Sequence, residues 1–154
     1  MNQDSGVLVV GPGSIGRLLA CRWAGRGWRV RLLARAAPQE NALARGIAFT
    51  DCRGRRRLVR GCSSARAPQR VPLPRAAFFC VKTSQVGEAI RLSRPWIGPE
   101  TVVVALQNGL GHEARFRRAF GPRRTVIGSC YVAAATEGRK EVAHMGGRKI
   151  LLAS

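Results

Sequence analysis

The segment Gly11-Pro12-Gly13-Ser14-Ile15-Gly16 is the most informative stretch of this sequence, because of its glycine spacing and of what stands on either side of it. Four apolar residues, Val7–Val10, lead directly into it, as a buried parallel strand does. Residues 14–26 then place apolar side chains at helical spacing, so the glycines join a predicted strand to a predicted helix. In that context the GxGxxG pattern predicts a turn that binds the pyrophosphate of a dinucleotide.

Each glycine of this turn has its own physical reason. Gly11 permits a tight turn, Gly13 lets the backbone approach the pyrophosphate, and Gly16 lets the helix pack closely on the strand. The helix N-terminus offers unbonded N–H groups and a partial positive charge to the phosphates. The alternative is a glycine-rich turn without a ligand, since the sequence contains 18 glycines. The predicted pyrophosphate site comprises Gly11, Pro12, Gly13, Ser14, Ile15 and Gly16.

Predicted strands and helices alternate along the chain. We expect the main strands at residues 7–10, 28–34, 76–81, 101–106 and 125–135, and the main helices at 14–26, 84–92 and 112–120. Less regular features are a short helix over 39–45, small strands at 47–50 and 57–59, an exposed connection over 62–74, and a closing antiparallel pair, 141–144 with 149–152, around two glycines. The pattern predicts one α/β domain over residues 1–154, a Rossmann-type, doubly wound, mostly parallel sheet with a small antiparallel C-terminal edge.

Arg35 indicates which dinucleotide is bound. Sites specific for NAD place an Asp or Glu about 20 residues beyond the glycines, where it binds the ribose 2′-hydroxyl. Arg35 stands at that position, and no acidic residue follows before Glu40. A guanidinium pairs well with a 2′-phosphate, so the sequence favours NADP over NAD. An exposed charge at the end of a strand is the alternative role for Arg35.

The composition narrows the class of protein. Lys and Arg number 27 against 8 Asp and Glu, and all but three of the 27 are arginine. The basic residues are dispersed and lack interleaved aromatic residues, so we expect a solvated basic surface and rank nucleic-acid binding low. The five cysteines form no CxxC pair, which predicts neither a metal site nor a disulfide framework. Without a signal-type or membrane-spanning apolar run, we expect a cytoplasmic protein that does not bind membranes.

Three later segments carry a family resemblance: Val81-Lys82-Thr83-Ser84-Gln85, Leu106-Gln107-Asn108-Gly109-Leu110-Gly111 and Val142-Ala143-His144-Met145-Gly146. Together with the glycine turn, they resemble the ketopantoate reductase (2-dehydropantoate 2-reductase) family over nearly the whole chain. The resemblance implies that Arg35 and Lys82 surround the adenosine phosphate of NADP and that Gln85 lines the same pocket. It also implies that Asn108 contacts the nicotinamide and the substrate, which makes it the one candidate catalytic residue. Lys82 as a surface lysine and Asn108 as a turn residue before Gly109 are the alternatives.

The resemblance further implies a reaction and a missing part. In this family NADPH reduces the C2 ketone of 2-dehydropantoate, a step of pantothenate biosynthesis, and a second, helical domain carries the proton-donating lysine. The chain stops at Ser154, about where the connection to that domain begins, so we expect the catalytic domain to be absent and the chain alone to be inactive. Expected partners are NADPH, a small 2-keto acid, and a separate helical domain or further copies of the chain. A non-catalytic NADP-sensing module and another dehydrogenase are the alternatives.

Overall fold

The computed structural model describes residues 6–65, 72–109, 111–136 and 138–153, and in these ranges nine strands form a single sheet. The strands are β1 (Val7–Val10), β2 (Val30–Leu33), β3 (Ile47–Thr50), β4 (Arg56–Val59), β5 (Cys62–Ala65), β6 (Ala76–Phe79), β7 (Val102–Ala105), β8 (Thr125–Ala135) and β9 (Glu141–Ala153). The helices are α1 (Ser14–Ala24), α2 (Ala37–Ala44), α3 (Val86–Ser93) and α4 (Glu113–Phe120).

Six of the strands build a parallel sheet with the order β5-β2-β1-β6-β7-β8. Numbered along the chain, these six have the order 3-2-1-4-5-6 of the dinucleotide-binding fold. The chain leaves β1 toward one edge of the sheet and returns through β6 on the other side of β1. The predicted Rossmann-type α/β fold is confirmed.

The sheet carries a core on each face, which is why β1 is apolar at every position. Val7 and Val9 belong to the core that includes Leu18 of α1 and Leu43 of α2. Leu8 and Val10, which alternate with them, belong to the opposite core, to which α3 and α4 contribute. All four residues of β1 are buried, as a central strand covered on both faces requires.

The far edge of the sheet differs from its prediction. We expected residues 141–144 and 149–152 to pair with each other around Gly146–Gly147, and this prediction is wrong. They lie in one long strand, β9, which pairs antiparallel with β8 and parallel with β3. Gly147 has φ +68, and a Cβ on it would clash with the Tyr131 carbonyl oxygen. The glycines therefore accommodate a bulge beside β8 and do not form a hairpin turn.

The segment between β4 and β6 is also more regular than predicted. We expected an exposed connection over 62–74, but Cys62–Ala65 is β5, which pairs with β2 at the edge of the parallel sheet. Cys62 and Ala65 are buried beneath the sheet's helices, while the polar residues between them are less covered. Residues 66–71 lie outside the described ranges. The small hairpin of β3 and β4 occurs where the sequence predicts it.

Candidate functional site

A cleft of about 620 Å³ opens at the carboxyl ends of β1, β6 and β7. It lies where the chain's connections diverge on either side of β1, the usual ligand position in open α/β sheets. Its volume is in the range of pockets that bind small molecules and cofactors. Every site residue predicted from the sequence lines it except Gly16: the group is Gly11, Pro12, Gly13, Ser14, Ile15, Arg35, Lys82, Gln85 and Asn108.

The three glycines of the turn meet different surroundings. Gly11 has φ +92, and a Cβ on it would clash with the Val81 side chain of the neighbouring strand end. A Cβ on Gly16 would clash with the carbonyl oxygen of Gly11, so the helix sits directly against the turn. At Gly13, by contrast, an added Cβ would meet no described atom within 4 Å. Gly13 thus borders open space in the cleft, as a residue beneath a bound phosphate would.

The N-terminus of α1 faces this cleft, and no side chain caps its backbone N–H groups. Gly13 caps the helix without a side-chain hydrogen bond, and the first turn contains no acidic residue. The amide N–H groups of the first turn are therefore not engaged by a cap, and the positive end of the helix dipole is uncompensated. Such a terminus favours an anion.

Arg17 holds the turn in place, a role that the sequence analysis did not anticipate. Its side chain is only 6% exposed and donates hydrogen bonds to three carbonyl oxygens: those of Pro12 at 2.8 Å, Gly138 at 3.0 Å and Glu141 at 3.1 Å. Burial lowers the pKa of its guanidinium from the ordinary value. The three contacts connect the glycine turn to the start of β9. The sequence carries no local signal for this burial, because the Gly138 and Glu141 carbonyls lie 121 and 124 positions away in the chain.

Arg35 and Lys82 lie on the rim of the cleft, on opposite sides of the glycine turn. Arg35 follows β2, and its backbone N–H donates to Gln39 Oε1 at 3.1 Å. Its Nη2 donates to Glu88 Oε2 of α3 at 2.9 Å. Lys82 follows β6 and is exposed, and Gln85 ends the short 3₁₀ turn behind it. Two cations, Arg35 and Lys82, and two amides, Gln39 and Gln85, thus line the cleft.

Asn108 follows β7 and lines the cleft, and its side-chain amide is bonded to β8. Its Oδ1 accepts a hydrogen bond from the Cys130 N–H at 3.3 Å, and its Nδ2 donates to the Cys130 carbonyl at 3.4 Å. Thr83 Oγ1 donates to the Asn108 carbonyl at 3.4 Å, which connects the two motif loops. Asn108 is therefore a rigid part of the cleft wall.

Gln107 is a second residue that sequence reasoning missed, although it stands inside the quoted LQNGLG segment. It lines the cleft and is 5% exposed. Its Nε2 donates to the Phe79 carbonyl at 3.0 Å, while its Oε1 has no hydrogen-bond partner among the described residues. The residue ties the end of β7 to the end of β6. Its position in a motif was the only available signal.

The comparison with known families settles the relationship. The sequence profile of the ketopantoate reductase PanE/ApbA family matches residues 7–154. The chain belongs to this family. The resemblance predicted from its later motifs is thereby confirmed, and the family is one of oxidoreductases.

One curated sequence and two solved structures are similar to this chain. The uncharacterized oxidoreductase YkpB of Bacillus subtilis (strain 168) is 24% identical over 142 residues, which are 89% of this chain and 44% of the relative. The structure of 2-dehydropantoate 2-reductase from Geobacter metallireducens GS-15 has a TM-score of 0.82 at 26% identity, over 96% of this chain and 48% of that one. The ternary structure of D-mandelate dehydrogenase with NADH and anilino(oxo)acetate has a TM-score of 0.81 at 19% identity, over 95% and 46%. The chain spans about half the length of these relatives.

Neither histidine of this ketopantoate reductase family member lines the cleft. His144 of β9 is buried, with Nδ1 2.8 Å from Arg22 Nη2 and Nε2 2.7 Å from the Gly147 carbonyl. Because the arginine can only donate and the carbonyl can only accept, His144 carries its proton on Nε2. His112 is the buried residue before α4 and contacts the ring of Phe116 edge-on. Both histidines are therefore buried among other parts of the fold, outside the cleft.

Three further features concern metal ligands, the cysteine in the cleft and membrane-spanning helices. No three His, Cys, Asp or Glu side chains in the described ranges are placed to hold a metal ion. Cys80 lines the cleft, and burial raises the pKa of its thiol above the ordinary value. No described helix is both long enough and apolar enough to span a membrane.

Three arginines of the β3–β4 hairpin contact residues outside the cleft. Arg55 pairs with Asp51 within the β3–β4 turn, and Arg56 pairs with Glu141 of β9. Arg57 lies over the ring of Phe49 at 5.4 Å. These three consecutive arginines thus contact their own hairpin and β9, and none of them lines the cleft.

Proposed function

We propose that this chain is the NADP(H)-binding domain of a 2-dehydropantoate 2-reductase-like oxidoreductase of pantothenate biosynthesis. One observation carries the proposal: the same cleft contains a glycine turn with open space above it and two cationic side chains on its rim. Gly13 and the N-terminus of α1 provide room and N–H donors for a pyrophosphate. Arg35 and Lys82 supply positive charge on the rim of the same cleft.

In the proposed complex the cleft residues bind and orient the cofactor. The pyrophosphate lies over Gly13, and the adenosine 2′-phosphate lies at Arg35 and Lys82 with Gln85 beside it. The nicotinamide end lies toward Asn108, whose side chain is held still by its two hydrogen bonds to Cys130. Bound NADPH supplies the hydride for the C2 ketone of a small 2-keto acid. The chain's own contribution is to fix the distance and face of that transfer.

The proton that completes the reduction needs a donor within hydrogen-bond reach of the substrate oxygen. Lys140 and Lys149 lie before and within β9, both exposed, and neither lines the cleft. Since the relatives are about twice as long, we propose that a helical domain or a further copy of the chain supplies the lysine. The chain by itself should then bind NADPH without reducing the ketone.

A titration of the purified chain with NADPH and NADH tests this proposal, with nucleotide fluorescence as the readout at moderate salt. We expect saturable binding of both, with a clear preference for NADPH. The D-mandelate dehydrogenase relative was solved with NADH, so the preference is the informative part of the result. Absence of binding by either nucleotide would contradict the proposed site, and a preference for NADH would contradict the role of Arg35.

A non-catalytic NADP-binding module is the second candidate. It is favoured because Lys82 is the one lysine among the described residues that line the cleft. The two candidates separate when a helical domain from a relative is added to the nucleotide-bound chain. Ketone reduction in the mixture supports the reductase, and binding without reduction supports the module.

A further inference from the structure

Glu88 forms an ion pair with the Arg35 guanidinium, the group on which the proposed preference for NADP depends. Its Oε2 lies 2.9 Å from Arg35 Nη2, and the two side chains are 43% and 53% exposed. Glu88 stands in the first turn of α3, three residues after Gln85. Glu88, Arg35 and Gln85 also line a small cavity of about 20 Å³ that continues the cleft between β1 and α3.

Glu88 is also an acidic residue in direct contact with a cation of the cleft rim. No Asp or Glu is among the described residues that line the main cleft. Arg35 and Lys82 are the cations that line the cleft. A phosphate that enters the cleft therefore meets two positive charges, and the Glu88 carboxylate is already bound to one of them. A carboxylate and a phosphate compete for the same donors, because a guanidinium binds both through the same planar N–H groups.

We infer that Glu88 is a specificity-determining residue that weakens the preference for NADP set by Arg35. A 2′-phosphate that binds Arg35 Nη2 must displace the Glu88 carboxylate from it, and one that binds the other N–H groups of the guanidinium lies beside that carboxylate and is repelled by it. A ribose 2′-hydroxyl carries no charge and needs no such displacement. Glu88 therefore raises the dissociation constant of NADPH and leaves that of NADH nearly unchanged. This inference rests on the proposed function, in which the adenosine ribose lies at Arg35.

The variant Glu88→Gln tests the inference, because it keeps the shape of the side chain and removes its charge. We expect NADPH to bind about fivefold more tightly and NADH to stay within about twofold, the scale of one exposed ion pair. Glu113→Gln is the matched control. Glu113 forms a similar exposed pair with Arg117 at 2.8 Å on α4, outside the cleft, and its loss should alter neither affinity.

The outcomes separate this inference from the proposal on which it rests. A higher NADPH-to-NADH affinity ratio in Glu88→Gln, with both control affinities unchanged, supports the inference. An unchanged ratio overturns it while the proposed function stands. A lower ratio also overturns it, since Glu88 would then hold Arg35 in position for the phosphate. If neither nucleotide binds the wild-type chain or the variant, the proposed function fails and the inference fails with it.

Discussion

In the proposed function, the choice between NADP and NAD depends on one exposed side chain, that of Arg35. The variant Arg35→Asp replaces a cation by an anion at the proposed 2′-phosphate position. We expect NADPH affinity to fall by at least about tenfold, because hydrogen bonds to charged groups contribute roughly 1.5–3 kcal/mol. NADH affinity should change little, since its ribose carries no phosphate. Fluorescence titrations measure both, and equal losses for the two nucleotides would remove Arg35 from the phosphate site.

Gly13 tests the pyrophosphate position in the same way. A Cβ added at Gly13 meets no described atom within 4 Å, so we expect Gly13→Val to leave the fold and melting temperature nearly unchanged. It would fill the space that the phosphates need, and binding of both nucleotides should be lost. Gly87→Ala is the control, because its added Cβ also meets open space but lies on α3 outside the cleft. Retained binding in Gly13→Val would contradict the assignment of the turn.

The individual site residues differ in how far the sequence could reveal them. The glycine turn and Arg35 follow from local spacing, because strand, turn and helix are neighbours in the chain. Gln107 could not be predicted, since its importance comes from a hydrogen bond to Phe79, which belongs to another strand. Glu88 was missed for the same reason, as its partner stands 53 positions away. Contacts between distant segments leave no periodic signal.

At the level of elements, Arg17 joins α1 to β9. The variant Arg17→Met keeps the length of the side chain and loses three hydrogen bonds to carbonyls, one of them buried and two partly buried. We expect the free energy of unfolding to fall by about 3 kcal/mol, because those acceptors lose their donor. NADPH binding should weaken as well, since the Pro12 carbonyl is no longer held. Denaturant unfolding and the fluorescence titration measure the two effects.

Arg26→Met provides the comparison for that prediction. Arg26 is exposed just beyond α1, and its side chain donates to the Arg22 carbonyl at 3.2 Å. Its replacement should change stability by less than about 0.5 kcal/mol, as for most surface positions. Equal stability losses in the two variants would mean that the three carbonyl contacts of Arg17 contribute nothing of their own.

The strands show where sequence patterns fail for whole elements. The central strands are uniformly apolar and were predicted close to their observed bounds. β5 reads Cys-Ser-Ser-Ala, which has no strand-like composition, and it is a strand because the edge of β2 offers it hydrogen bonds. β9 contains two adjacent glycines, which in the sequence indicate a turn. Tertiary pairing overrides local preference in both places.

For the molecule as a whole, the buried thiols predict a loss of stability at high pH. Burial raises the pKa of Cys21 to about 12 and that of Cys62 to about 11. The folded state thus favours the neutral thiols, so their contribution is complete below about pH 9 and is lost as the pH rises toward 11–12. We expect the free energy of unfolding to fall by about 2 kcal/mol per thiol between pH 9 and 11. Denaturant unfolding across that range measures it.

Two alanine variants identify the source of that loss. Cys21→Ala removes one buried thiol, and its stability should decline less steeply with pH than that of the wild-type chain. Cys52→Ala removes an exposed thiol and should follow the wild-type decline. Parallel pH profiles for all three proteins would show that ionisation of Cys21 is not coupled to unfolding.

The position of β9 between β8 and β3 has a consequence for how the chain acquires its structure during synthesis. β3 pairs with β4 locally, but its other neighbour is β9, which leaves the ribosome more than 80 residues later. Until then the hairpin has no sheet to join, and Phe49 and Val59 lack their contact with Val142. Pairings of such long sequence separation form slowly. The parallel centre can assemble as the chain lengthens, whereas this corner closes only when β9 arrives, which leaves the edge of β3 unpaired in the meantime.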